Sequence, residues 1–171
     1  MTAPTLARWF DELSPADEFT TRSRTITEAD VVGFAALSGD MHPQHTDREW
    51  ARESPFGERV AHGMLVLAYA VALIPFDPER VAALRGLDSV VFKRPVLLGD
   101  TISLDGRVRE LKALDAATGL VTCEVRVRNQ QSELVTRFRI DAIWRRVVVA
   151  ATEDAVDRTV ETASSFVPIP L

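Results

Sequence analysis

Cysteine is nearly absent: Cys123 is the only one in 171 residues, which excludes an internal disulfide and any zinc site built on several cysteines. A reducing compartment is the simplest home for such a chain, so a cytoplasmic protein is expected. Basic residues are in deficit, with 20 Lys and Arg against 25 Asp and Glu and a formal net charge of −5. Nucleic-acid backbones call for a net basic footprint, so no nucleic-acid partner is expected. A long apolar run is missing too. The longest stretch free of Asp, Glu, Lys and Arg is Val60 to Phe76, VAHGMLVLAYAVALIPF. His62 and Gly63 open it and Pro75 closes it, leaving Met64–Ile74 as the helical part. At about 1.5 Å per residue that part reaches roughly 16 Å, far short of a ~30 Å hydrocarbon core. The reading is therefore a core helix, apolar on all sides because other elements surround it, and no membrane span. The opening residues, MTAPTLARWFDELSPADEF, carry no basic segment followed by an apolar one, so no secretory signal is expected. Histidine is also scarce, yet all three fall between positions 42 and 62.

What is present reads as one folded domain. A hydrophobic fraction of 46% excludes a disordered chain, and the length suits a single domain of roughly 100–200 residues. Phe19–Ile26 (FTTRSRTI) alternates enough for an opening strand. Thr27 followed by Glu28-Ala29-Asp30 is an N-cap with acids in the first turn, and Gly39 ends the helix as a C′ glycine does. Pro43 keeps residues 39–46 (GDMHPQHT) out of a helix interior and pushes His42 toward extended geometry. Asp47–Glu53 reads as a short second helix, capped by Thr46 or Asp47. From Leu87 to about Val149 the pattern is strand-like. Ile102, Leu104, Gly106 and Val108 alternate with polar neighbours, as do Val121, Cys123, Val125 and Val127, and Leu134, Thr136, Phe138, Ile140, Ala142 and Trp144 repeat the pattern against Arg137, Arg139, Asp141 and Arg145. Period two over three successive runs means antiparallel strands with one covered face. The fold class is α+β: a curved antiparallel sheet and one apolar helix it can wrap. The domain is expected over residues 1–149, with 150–171 as a C-terminal tail or arm.

The chemistry concentrates in two segments, GDMHPQH (39–45) and VAHGML (60–65). A carboxylate can orient an imidazole and tune its protonation, as general acid–base catalysis requires, and Asp40 and His45 are candidates for such a pair. Gly63 just before an apolar helix offers backbone N–H groups at the positive end of the helix dipole, suited to an oxyanion or a thioester carbonyl oxygen. Each residue also has a plainer reading. Asp40 can be a turn or capping residue, His45 a hydrogen-bonded loop residue, and Gly63 a packing glycine. Asp40, His42, His45 and Asp47 could together ligate a metal, but the Pro-Gln spacer between the two histidines is not a helical turn, and no metal is expected. Cys123 faces inward and reads as core packing.

Taken together these residues resemble the MaoC-like, (R)-specific enoyl-CoA hydratase family. Its motif runs approximately Asp-x-Asn-Pro-x-His-x-Asp, followed by Ala, Phe, a basic residue and Ile-x-His-Gly-Met. The counterparts here are Asp40-Met41-His42-Pro43-Gln44-His45-Thr46-Asp47, then Ala51, Phe56, Arg59 and Val60-Ala61-His62-Gly63-Met64. Phe92-Lys93-Arg94-Pro95-Val96 and Gly99-Asp100-Thr101 look like the strand and turn that follow. The resemblance implies a hotdog fold, with the sheet wrapped around Met64–Ile74, and protomers paired as a homodimer or higher homo-oligomer. It implies reversible hydration of a trans-2-enoyl thioester of coenzyme A or acyl carrier protein, without a cofactor. By the same resemblance Asp40 and His45 are catalytic, the Gly63 amide holds the thioester oxygen, and His42, Pro43, Phe56, His62 and Met64 contact substrate. Two departures stand out: His42 replaces the family's Asn, and Val71 falls where some hydratases carry a helix serine. Two other functions remain open: a hotdog thioesterase, and a non-catalytic acyl-thioester-binding subunit of a heterodimeric dehydratase. The arginines on the outer strand faces (Arg107, Arg109, Arg126, Arg128, Arg137, Arg139) read first as a solvated sheet face.

Overall fold

The computed structural model describes residues 5–147, so the tail or arm expected over 150–171 lies outside the described residues. Two 3₁₀ turns, Thr5–Ala7 and Phe10–Glu12, lead into six strands and four α-helices. The strands are β1 (Glu18–Thr20), β2 (Arg24–Thr25), β3 (Val81–Phe92), β4 (Thr101–Ala113), β5 (Thr118–Arg128) and β6 (Leu134–Arg145). The helices are α1 (Glu28–Ser38), α2 (Pro43–Thr46), α3 (Arg48–Arg52) and α4 (Gly63–Leu73). All strand pairings are antiparallel, in the order β1-β4-β5-β6-β3, with β2 also on β4. This is the hotdog architecture, and the class is α+β as expected.

The period-two runs form the covered face. Ile102, Leu104 and Val108 of β4, Val121, Cys123, Val125 and Val127 of β5, and Phe138, Ile140, Ala142 and Trp144 of β6 are buried together against Leu65, Val66, Leu67, Ala70 and Leu73 of α4. The helix is not enclosed on every side, however. Met64, Ala68 and Ala72, spaced four apart, form an exposed stripe on the face turned away from the sheet. Cys123 is buried, and that burial first, then the nearby Asp141, pushes its thiol pKa up to about 12.

Three local differences from the sequence reading have physical causes. The opening strand is split in two, because the Thr21 hydroxyl, rather than a backbone carbonyl, accepts from the Leu104 N–H at 3.1 Å and breaks the ladder. Pro43 does not exclude a helix over 43–46. It stands at the first position of α2, where the missing N–H costs nothing. His42 before it is extended, with φ −54° and ψ 133°. Strand β3 begins at Val81 rather than near Leu87, and register shifts at three places along it erase the alternation that would have revealed it.

Two strand glycines carry aromatic rings. Phe19 lies over Gly106 and Phe10 over Gly119, each occupying the space a Cβ would need. Both phenylalanines are buried, so neither ring has room to retreat. Gly106→Ala is therefore expected to destabilise the fold by about 1–3 kcal/mol through overpacking, measured by urea unfolding. The same change in a Phe19→Leu background is expected to cost less, since the obstructing ring is gone.

Candidate active site

Helix α1 delivers the first site residue. The Thr27 hydroxyl accepts from the Asp30 N–H, closing the N-terminal capping box, and Gly39 ends the helix in the left-handed region at φ 79°. The chain then turns sharply. The Asp40 N–H donates to Ser38 Oγ at 3.2 Å, and Asp40 Oδ1 accepts from the His42 N–H at 3.3 Å. Its second carboxylate oxygen is left free toward His45. Asp40 is the exposed member of the pair, with 52% of its side chain accessible.

His45 sits in the single turn of α2. His42 caps that turn by accepting the Gln44 N–H on Nδ1 at 3.2 Å, and its ring meets Trp50 edge-on at 5.3 Å. Asp47 caps α3 through Oδ1, which accepts from the N–H groups of Glu49 and Trp50. His45 is held from a distance in sequence: its Nδ1 lies 2.7 Å from the Val60 carbonyl oxygen. A carbonyl only accepts, so Nδ1 carries the proton and Nε2 presents a lone pair. That Nε2 stands 4.0 Å from Asp40 Oδ2. Burial first lowers the His45 pKa from its ordinary 6.5. The Val60 bond and the Asp40 charge oppose that shift, while His62 and His42 reinforce it.

Val60 is positioned by its N–H to the Gln44 carbonyl and by a bridge to Leu97, and Ala61 N–H reaches the Val96 carbonyl at 2.8 Å. These contacts bring the start of α4 beside α2. Gly63 is the first residue of α4, where an amide has no acceptor within its own helix. The ring of Phe92 packs on Gly63, at about 3.0 Å from where a Cβ would stand. An open cleft of about 440 Å³ lies here, lined by His45, Phe56, Gly63, Met64, Phe92 and Lys93 among others.

The predicted residues thus divide. His45, Gly63, Phe56 and Met64 line the cleft, and Asp40 faces His45 from beside it. His42 is exposed and engaged as a cap, Pro43 starts α2, and His62 is buried at 2% exposure behind His45. Val71 is partly buried and packs against the core. Phe92 and Lys93 lie in a segment whose likeness to the family was visible, but spacing gave no sign that the end of β3 folds over Gly63. Of the outer arginines, Arg109 and Arg126 share Glu124, and Arg128 pairs with Asp105 at 2.7 Å, in keeping with a solvated sheet face.

Asp40, His45 and His62 offer ligand atoms within 4.8 Å of one another. The two imidazoles are stacked, however, with centroids 3.8 Å apart and planes 27° from parallel. A metal bonds in the plane of each imidazole it binds, so one ion serving both rings would lie well out of at least one plane. The stacked rings therefore do not suit one ion shared by both imidazoles. Among the described residues, no helix is long and apolar enough to cross a membrane.

Comparisons with known proteins bear on the family and the fold. The chain is 43% identical over 98 residues to Protein MaoC of Klebsiella aerogenes, a stretch that takes in 57% of this chain and 29% of that protein. It is 35% identical over 107 residues to an (R)-specific enoyl-CoA hydratase of Rhodospirillum rubrum, covering 60% of this chain and 72% of the relative. The fold superimposes with a TM-score of 0.77 on a monoamine oxidase regulatory protein from Archaeoglobus fulgius, at 36% identity over 82% of this chain and 95% of that one. The MaoC like domain profile matches residues 12–131, well over half of the 171 residues, and the chain belongs to that family of MaoC-like dehydratases.

Proposed function

We propose that this protein is a hydro-lyase that adds water reversibly to a trans-2-enoyl thioester of coenzyme A or an acyl carrier protein. One observation carries the reading: with Nδ1–H committed to the Val60 carbonyl, the His45 Nε2 lone pair and the Asp40 carboxylate face each other across 4.0 Å. A water between them lies within hydrogen-bond reach of both, which is the geometry a general base needs. His45 takes a proton from that water as its oxygen bonds to C3 of the substrate. The electron pair of the double bond moves toward the thioester oxygen, where the Gly63 amide at the positive end of α4 donates to the developing charge. The Asp40–His45 pair then returns a proton to C2. Water is added with no other reactant, and the reverse path dehydrates an (R)-3-hydroxyacyl thioester. Phe56, Met64 and Phe92 give the acyl chain an apolar wall. The R. rubrum relative, named for this activity, adds support.

The assembly we propose is a homodimer paired along β3. That strand bonds only to β6 among the described residues, and it exposes Leu84, Leu87 and Phe92. A long unpaired edge bearing apolar side chains is a template for pairing with a second copy. Phe92 reaches the cleft from this same strand, so pairing would also shape the substrate site.

Purified protein given short enoyl-CoA esters is expected to deplete the ultraviolet absorbance of the conjugated thioester. Release of free thiol instead would identify a thioesterase. Asp40→Asn and His45→Gln are each expected to lower turnover at least about a hundredfold with thermal unfolding unchanged. Full activity in both would overturn the assignment. For pH, the base must be neutral and its pKa is lowered, so the acidic limb of kcat/KM is expected to fall below about pH 6.5. A limb above that value would count against His45, with its lowered pKa, as the base. Sedimentation is expected to give twice the mass of one chain, and Leu87→Glu to shift the protein toward monomer.

A further inference from the structure

The three histidines fall into distinct environments, and the role of the most buried one follows from its contacts. His62 is 2% exposed and does not line the cleft, so contact with substrate is not its work. Its Nε2 lies 3.0 Å from the main-chain carbonyl oxygen of Asp40, 22 residues earlier. Because that oxygen only accepts, Nε2 carries the proton. One neighbour of its ring is His45, stacked at 3.8 Å, and another is Phe34 of α1 at 5.0 Å. Its own carbonyl accepts the Val66 N–H at 3.1 Å, and the next residue in the chain is Gly63. One residue therefore joins the Asp40 backbone and the His45 ring, through its imidazole, to the first turn of α4, through its carbonyl.

The other bonds of Asp40 are local and long. They run to Ser38 and His42 within the same turn, at 3.2 and 3.3 Å. The bond from His62 is the one that ties Asp40 to the α4 side of the site among the described residues. Packing alone gives no reason for a ring nitrogen at this place. Nδ1 of His62 is buried with no hydrogen-bond partner among the described residues, and a phenyl ring would fill the space without that cost. What a phenyl ring lacks is the Nε2–H.

We propose that His62 is the positioning residue of the site: by holding the Asp40 carbonyl through its Nε2–H, it sets the separation between the carboxylate and the imidazole base. The proposal rests on Asp40 and His45 being the acid–base pair. It differs from the substrate contact that the sequence resemblance implied for His62, and the two are separable by experiment. Misplacing a reacting group by about an ångström costs on the order of 10²-fold in rate, so a register defect should appear in turnover rather than in binding.

His62→Phe keeps a ring beside His45 and removes the donor; His62→Gln keeps an N–H within reach of the Asp40 carbonyl and removes the stack. With enoyl-CoA substrate, His62→Phe is expected to lower kcat about 10- to 100-fold with KM changed less than about threefold. His62→Gln is expected to recover to within about fivefold of the parent. Unchanged kcat in His62→Phe, a raised KM with intact kcat, or a Gln variant no better than Phe would each overturn the proposal.

A second readout needs neither turnover nor a folded variant. With three histidines in the chain, nitrogen-15 imidazole spectra of the parent protein are simple to assign. They are expected to show His62 protonated on Nε2 and His45 on Nδ1. His62 carrying its proton on Nδ1 would remove the bond to Asp40 and end the proposal even if the Phe variant does not fold. A parent protein inactive on every enoyl thioester would instead count against the hydratase reading. In that case the backbone amide resonances of Gly39 to His42 still decide, since they should move in His62→Phe and stay in place in His62→Gln.

Discussion

The burial of one face of α4 against the curved sheet is the constraint on which the rest depends. Leu65, Val66, Leu67, Ala70 and Leu73 leave water only because β4, β5 and β6 present aligned rows of Val, Ile, Phe and Trp. Fixing the helix axis this way fixes where its first residue emerges, and Gly63 becomes a set point at the edge of the core. The loop before it is then drawn alongside α2 by the Val60 and Ala61 hydrogen bonds. An imidazole on α2 finds a carbonyl acceptor at the right place only because the packing of a helix has put it there.

Much of this fold could be read from the sequence because it obeys local rules. Thr27, Asp30 and Gly39 bound α1 by capping chemistry that acts within three or four residues. Strands β4, β5 and β6 announce themselves by alternation, and the side chains placed inward are buried except Leu134, which yields to the buried Val135 where the pairing with β5 shifts register. Strand β3 was legible only in its second half, because each register shift resets which side chains face the core. The exposed stripe Met64, Ala68, Ala72 was hidden for another reason: an apolar side chain on a helix looks the same whether it meets a sheet or nothing.

The site was legible to a different degree. Residue types and spacing proposed Asp40 and His45, and family resemblance gave them roles, but neither revealed how His45 is held. Its acceptor, the Val60 carbonyl, is fifteen residues away and is a backbone group, so no side-chain identity points to it. The stack of His45 on His62 joins positions seventeen apart on different elements. Tautomers follow from such contacts, which come into being only when the chain is folded. The clustering of all three histidines in one short span was the visible trace of this arrangement.

The burial of Cys123 has a consequence for the acyl-thioester chemistry proposed above. Thioesters exchange their acyl group readily with a thiolate, and an accessible thiolate beside the cleft would become acylated. Here the sole sulfhydryl lies inside the sheet–helix core with its pKa raised to about 12, so at neutral pH it is almost wholly protonated and out of reach. Under the proposed function, an activated acyl group would meet no competing sulfur nucleophile from this residue.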